Sequence, residues 1–518
     1  MFNLSSKTIS KCSNHYRFMN FTYTIFLSRM KKKILTWINA DLLQFGVIKS
    51  IQSKIDCSTY AIIDVTNKPK EFFKEQKLVK FEKFWFLHEN IDGKLTNHNI
   101  DYLTEVEKKY GINLLQLAMN DRIFFNFNNF YKFSSEQILS IIEQECKFFE
   151  KILDDTNPDY VIMDYPALRP NYLFYLICKA RKITTLKITP TRLGKKFYID
   201  NGKNHFSATK NLSSNKYELE NYHKRFDNYD VTIQFRKRFA KSKSKLLEAL
   251  IEYIFSKNDN IFTHYTYFGR GKLRVISNYI KFSIKSKNRK NFLDKNFLKV
   301  LPKNQKFIFF PLHIEQERST LIDAPFQVDQ LHIIKQIVKS LPIGYKLYVK
   351  EHPSMSAREW RELSFYKTLL SLPNVVGIHP SVNPDGILEH CSLVITINGT
   401  AGFDVAFYQK PTITLTETDY SAMESVTTLD SLDKLPNAIQ KCLESKVNVD
   451  ALNSYIDFVE NTAFELDLDS LNQDNQDFLH YGGFLVDVNI NEKEFEKFLK
   501  SKQSEYDLIA NEYIKNIK

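Results

Sequence analysis

Cysteine is scarce in this sequence, and its six copies (Cys12, Cys57, Cys146, Cys178, Cys391 and Cys442) lie far apart with no C-x-x-C pair. That spacing excludes a disulfide framework and a cysteine zinc site, so no metal is expected, and it fits a reducing, cytoplasmic compartment. No apolar run approaches the roughly 20 residues needed to span a bilayer. Phe21 to Leu27 is apolar, but it lacks the h-region and cleavage site of a signal peptide. A Walker loop, G-x-G-x-x-G, H-E-x-x-H and G-x-S-x-G are all absent, which removes the nucleotide-hydrolysing, dinucleotide-dependent, zinc-protease and nucleophile-elbow classes they mark. No cofactor is therefore expected.

The chain does have length and charge. Its 518 residues imply more than one domain, and 43% hydrophobic with 14% aromatic residues is enough for sizeable cores. Lys and Arg number 72 against 60 acidic residues, a formal charge of +12. That balance favours anionic partners such as nucleotide donors, acidic glycans or lipid headgroups. The basic residues form no recognised nucleic-acid module, so nucleic acid is not an expected partner.

Residues 1–30 read as an N-terminal extension, either an upstream stretch or a tail touching the membrane. From there the pattern alternates strand and helix. Ile34 to Ile38, Tyr60 to Val65, Phe84 to Leu87, Tyr160 to Met163 and Thr185 to Ile188 read as strands. A helix over Ser134 to Leu153 opens with N-cap serines and stops at Asn157-Pro158-Asp159. Residues 31–200 are thus expected to be a doubly wound, Rossmann-like acceptor domain. Residues 201–300 read as a basic helical insert or linker, carrying Lys272, Arg274, Lys281, Lys285, Lys287, Arg289 and Lys290. That surface is a candidate for facing the acceptor or a membrane, and Gly269-Arg270-Gly271 reads as a hinge.

Strand and helix alternate again over 301–445, the expected donor-nucleotide domain. Strands are read at Phe307 to Phe310, Lys346 to Val349, Val375 to Ile378, Leu393 to Ile397 and Thr412 to Leu415, with helices between them. Residues 446–518 read as a C-terminal helical segment. Two such α/β domains facing a cleft make a GT-B-like arrangement.

Ligands of open parallel sheets collect beyond the carboxyl ends of the strands. One such end is Lys350-Glu351-His352-Pro353, where the proline keeps His352 out of helical geometry and leaves its imidazole at the sheet edge beside Lys350. Another is Asn398-Gly399-Thr400, a small-residue turn into a helix. Here Gly399 is expected to admit a ligand close to the backbone, and Thr400 to cap the helix and donate to an anion. His313 and Glu317 follow the first strand of this domain, with Glu317 a candidate base. Asp41 and Asp164, just past strand ends of the first domain, are candidate catalytic carboxylates toward an acceptor. Asp467-Leu468-Asp469 matches a D-x-D metal pattern but lies outside both domains and is read as a helix start.

Three ordered motifs carry a resemblance: Pro311 to Arg318 (PLHIEQER), Lys350 to Pro353 (KEHP) and Asn398 to Phe403 (NGTAGF). Together they resemble the bacterial capsule polysaccharide synthesis family, which includes Kdo transferases. The resemblance implies a GT-B glycosyltransferase moving a sugar from a nucleotide-sugar donor, for example a CMP-Kdo-like one, to a glycan or lipid-linked glycan. It also implies work at the cytoplasmic side of the inner membrane, with peripheral contact. By the same resemblance His352 holds the donor phosphate as it departs, and Thr400 helps to position it. Lys350, Glu351, Pro353, His313, Asn398 and Gly399 would complete the donor site. Asp404 falls where many GT-B enzymes carry a glutamate on the donor ribose, here one methylene shorter. A teichoic-acid-type polyol-phosphate transferase, a nucleotide-sugar epimerase and a non-catalytic capsule-assembly protein remain alternatives.

Overall fold

Strands whose residues are apolar on both faces must be covered on both sides, and the chain builds two sheets of this kind. In β1 (Lys32–Asn39), Leu35 and Trp37 enter one core while Ile34 and Ile38 enter the core on the opposite face. That is the period-two alternation of a pleated strand. A computed structural model of the chain describes residues 31–202, 215–227, 243–353, 355, 361–445, 447–480 and 485–517. The expected extension at 1–30 lies outside the described residues, as do 203–214 and 228–242 of the basic insert.

The first sheet adds β2 (Cys57–Asp64), β3 (Lys83–Phe86), β4 (Tyr160–Asp164), β5 (Thr184–Pro190) and β6 (Lys196–Asp200). The second holds β7 (Phe307–Pro311), β8 (Lys346–Lys350), β9 (Val375–Ile378), β10 (Leu393–Thr396), β11 (Thr412–Thr414) and β12 (Val426–Thr428). A last short strand, β13 (Phe464–Glu465), returns to the first sheet. The strand orders are β13-β6-β5-β4-β1-β2-β3 and β12-β11-β10-β7-β8-β9. Among the described residues the β5–β6 and β6–β13 pairings are antiparallel and the other strand pairings parallel. Both sheets are Rossmann-like, as the alternation of strand and helix implied.

Helices cover both faces of each sheet. The helix Ser135–Thr156 begins with a capping box: Ser134 Oγ accepts from the Gln137 N–H (3.3 Å), and Gln137 Oε1 accepts from the Ser134 N–H (3.1 Å). Its Phe149 packs on Trp37, with ring centroids 5.9 Å apart. The other face of the first sheet is closed from the far end of the sequence. Tyr506, in the helix Gln503–Asn516, packs so tightly on Gly46 that a Cβ there would lie 2.4 Å from its ring. The chain from β13 onward therefore returns to the first sheet, whereas the helix Asp450–Thr462 packs on Phe403, Ala406 and Tyr420 of the second domain.

The basic region is not a detached linker. Tyr265 and Phe268 are buried in the first core, while Leu293 and Phe297 are buried in the second. Nor does Gly269 form an open hinge. It sits at φ 72° with a Cβ position only 2.1 Å from the Phe130 carbonyl oxygen, so a close packing contact requires the glycine. Asp467 caps the helix Leu468–Leu479 by accepting from the Ser470 N–H at 3.1 Å, a local reason for that residue, whereas Asp469 lines the cleft between the sheets. Among the described residues no helix is long and apolar enough to cross a membrane.

Candidate active site

The carboxyl ends of β7, β8, β9, β10 and β11 all open into one cleft of about 2330 Å³. Its opposite wall comes from the first sheet, through Tyr165 after β4 and Thr189 to Gly194 at the end of β5. This is where a doubly wound sheet presents ligand groups: each strand ends, and its last residues are released from the ladder.

Lys350 is the last residue of β8, and burial of the strand carries its side chain inward to 5% exposure. Burial lowers the ammonium to about 8, against the charge of neighbouring Glu351. Among the described residues no hydrogen bond or ion pair holds that ammonium, and it lines the cleft beside His352 and Pro353.

Glu351 does not offer its carboxylate to a donor as expected. Oε1 accepts from the His352 N–H (2.8 Å) and from Arg361, and Oε2 accepts from the Tyr366 hydroxyl (2.6 Å). Alternation along the chain turns Glu351 inward, so it anchors the His-Pro turn from behind. Arg361 also binds Glu315 (2.9 Å) and the His313 carbonyl, tying the ends of β7 and β8 into one unit.

His313 is nearly buried, and burial lowers its pKa to about 3, with the charges of His352, Arg361 and Arg192 adding to the effect. It is therefore neutral at physiological pH. Its Nε2 lies 3.3 Å from Thr396 Oγ1 and accepts from the Asn398 N–H at 3.5 Å. Gln330 fixes its backbone from both sides (2.7 and 3.0 Å). His313 thus shapes the turn after β10 and brings no charge to a ligand.

The same contacts explain Gly399. A Cβ there would lie 2.9 Å from Thr396 Oγ1 and 3.0 Å from His313 Nε2, and its N–H already donates to Thr396 Oγ1 (3.0 Å). Internal packing, rather than the close ligand approach expected, demands the glycine. Thr400 makes no side-chain cap on the short helix Ala401–Asp404. Its hydroxyl is exposed to the cleft and accepts from Arg192 Nη1 at 3.3 Å. Asn398 donates to the Ser319 carbonyl (3.0 Å), and among the described residues its Oδ1 has no partner. Asp404 also lines the cleft, and among the described residues its Oδ1 has no partner either. Burial raises its pKa well above the carboxylate range, opposed by Arg192.

The candidate carboxylates separate. Glu317 lines the cleft, just ahead of the helix Arg318–Leu321. Asp41 and Asp164 do not line it. They stand together where the strand order reverses between β1 and β4. Asp164 accepts from Asn39 (2.9 Å) and Gln44 (2.7 Å), and burial followed by the Asp41 charge raises it to about 7.

Two arginines that the sequence patterns did not single out span the cleft in opposite directions. Arg192, just past β5, pairs with Asp419 (2.8 Å) and reaches both Thr400 and the Asn398 carbonyl (3.5 Å). Burial works against its charge, but Asp419 outweighs that and keeps the guanidinium protonated. Arg318 leaves the second domain, stacks 3.8 Å over the Tyr165 ring, donates to the Pro166 carbonyl and pairs with Asp323 (2.8 Å). A basic residue just past a strand end was the available signal for Arg192.

The sequence profile of the family described as capsule polysaccharide biosynthesis protein matches residues 167–451. No curated protein matches the chain. Among solved structures, the chain is similar to the β-Kdo 2,7-transferase KpsC of Thermosulfurimonas dismutans, at 10% identity over 60% of this chain and 79% of that one (TM-score 0.29). The β-Kdo 2,4-transferase KpsC of the same organism is 11% identical over 61% and 86% (TM-score 0.30). A UDP-GlcNAc 2-epimerase from Neisseria meningitidis, bound to UDP-GlcNAc, is 13% identical over 83% and 99% (TM-score 0.26).

Proposed function

The chain belongs to the capsule polysaccharide biosynthesis protein family, and from that premise we propose that it is a glycosyltransferase using a nucleotide-sugar donor to extend a glycan or glycolipid. The observation that carries this reading is Lys350: a nearly buried ammonium beside His352 that, among the described residues, has no hydrogen-bond or ion-pair partner, at strand ends that open into the cleft. A buried cation without a counter-ion is costly, and an anionic ligand removes that cost.

In this reading the donor phosphate lies between Lys350, His352 and Thr400, with Arg192 closing on it from the first domain. The acceptor oxygen attacks the anomeric carbon as the bond from that carbon to the phosphate oxygen breaks. The electron pair leaves with the nucleotide, whose growing negative charge the cations stabilise. The acceptor proton passes to a carboxylate, and Glu317 is the base we propose because it lines the cleft. The Asn398 amide oxygen and Asp404, each with an oxygen lacking a partner among the described residues, accept from donor hydroxyls in this reading. Asp404 enters protonated or ionised according to whether a ligand donor reaches it. A CMP-linked acidic sugar of the Kdo kind fits this reading, because its own carboxylate adds a second anion for Arg192 or Lys350.

Incubation of the purified chain with CMP-, UDP- and CDP-linked donors and a capsule-type acceptor, followed by product mass, tests this directly. A product heavier by one sugar supports transfer. A product heavier by a polyol phosphate, or isomerised donor without transfer, overturns it.

A further inference from the structure

We propose that the helices Lys243–Phe255 and Lys272–Asn296 form a docking face for an anionic lipid bilayer. In the first, Leu247, Leu250, Ile251, Ile254 and Phe255 recur at i, i+3, i+4, i+7 and i+8. That spacing makes an apolar stripe which a surface helix ordinarily turns to the core. Here all five are exposed, Phe255 by 83%. Its two carboxylates lie at the flank and rear of the stripe, and Glu252 is tied to Lys68 at 2.9 Å.

The second helix repeats the pattern. Leu273, Ile280 and Ile284, spaced seven and four residues apart, share one face and are exposed, Leu273 by 85%. Its buried residues, Arg289 and Leu293, mark the roughly opposite side. The helices meet end to end. The Lys272 ammonium donates to the Ile254 carbonyl at 2.7 Å and to that of Ser256. A shallow groove of about 750 Å³ at the junction joins Phe262 and Leu273 to Lys257 and Arg274.

Charge selects the occupant. The second helix carries eight basic residues and one acidic one, and Arg274, Lys281 and Lys287 are exposed along it. An apolar stripe flanked by lysines is the pattern of a helix lying in a membrane interface, drawn there by anionic headgroups. The same helix then runs to the cleft, where Ser286 and Lys290 form part of the wall. From Leu273 to Lys290 is about 25 Å along the axis at 1.5 Å per residue. A lipid-linked acceptor held in that bilayer would meet the cleft at this reach. The proposal extends the transferase reading in that respect, but vesicle binding is measured without substrate, so either can fail alone.

The test is flotation of the full chain with vesicles of phosphatidylglycerol and phosphatidylethanolamine, compared with phosphatidylcholine vesicles. Wild type should float with the anionic vesicles and stay behind with the neutral ones. The triple variant Leu250→Glu, Ile254→Glu and Leu273→Glu should bind at least roughly tenfold more weakly, with an unchanged melting temperature because it alters exposed positions only. Lys281→Ser with Lys287→Ser should weaken binding several-fold and blunt its salt sensitivity. Ile343→Glu, an exposed apolar site elsewhere, should bind like wild type. Equal binding by the triple variant, no anionic binding by wild type, or a wild-type dimer that the triple variant dissolves in place of vesicle binding would each overturn the proposal.

Discussion

At the switch point of the first sheet an acid pair lies away from the cleft, with Asp164 held by amides, whereas at the carboxyl edge of the second sheet Lys350, His352 and Thr400 face the cleft together with acids such as Glu317 and Asp404. Asp41 and Asp164 sit at the strand-order reversal, where Asn39 and Gln44 donate to Asp164 and the Tyr513 hydroxyl donates to the adjacent Met163 carbonyl (3.5 Å). Lys350, His352 and Thr400 occupy the matching edge of the second sheet, and Arg192 reaches across to them. Both edges belong to Rossmann-like sheets with a parallel core, seven-stranded in the first and six-stranded in the second. The difference lies in a few side chains after the last strand residue: the acid pair of the first sheet stays outside the cleft, while the second sheet turns Lys350, His352 and Thr400 into it.

The comparison can be broken hardest at Arg361, which holds Glu351 and Glu315 behind the second edge. Arg361→Ala leaves Glu351 buried and uncompensated and should cost about 3–5 kcal/mol of stability, read as a lowered denaturation midpoint. Next in size is His352→Ala. Loss of one leaving-group contact should lower turnover roughly 100- to 1000-fold with the melting temperature unchanged, measured by donor consumption.

Lys350→Met should raise donor KM by about tenfold, the loss of one charge-assisted contact. It should also remove a pH dependence: in wild type the ammonium is charged below about 8, so donor affinity should fall as pH rises through that value. Measuring KM across that range in both proteins checks the sign.

The smallest effect belongs to the first edge. The folded-state pKa of Asp164 is raised to about 7, so the folded state binds the proton more tightly than the unfolded chain. Its contribution is fully present at low pH and is lost as pH rises through about 7. Wild type should therefore lose on the order of 1 kcal/mol between about pH 6 and pH 8, and Asp164→Asn should flatten that slope. Urea midpoints at the two pH values provide the check.

The strands buried on both faces were legible in the sequence. Ile34 to Ile38 and Leu393 to Ile397 are apolar runs broken only by Thr36 and Thr396, with polar residues at their ends, and the structure forms β1 and β10 around them. β6, β12 and β13 were not legible, being short strands at or next to a sheet edge with mixed side chains and little local signal. The His-Pro and Asn-Gly-Thr segments could be placed at strand ends because the strands before them were clear. Their internal division of labour was hidden. Glu351 looks like a ligand until Arg361 and Tyr366 occupy it, and Gly399 looks like a ligand gate until His313 stands behind it. Arg192 escaped because its partner Asp419 lies 227 residues away, a contact that no local pattern encodes.

The central claim is that the second edge, with the arginine it borrows, binds the donor phosphate. Calorimetric titration of the full chain with CMP, UDP and CDP tests it most directly, comparing wild type with the variant carrying both Lys350→Met and His352→Ala. The account predicts saturable binding of one of these nucleotides by wild type and its loss in the variant, with both proteins equally folded by circular dichroism. Nucleotide binding at full strength in that variant would contradict it.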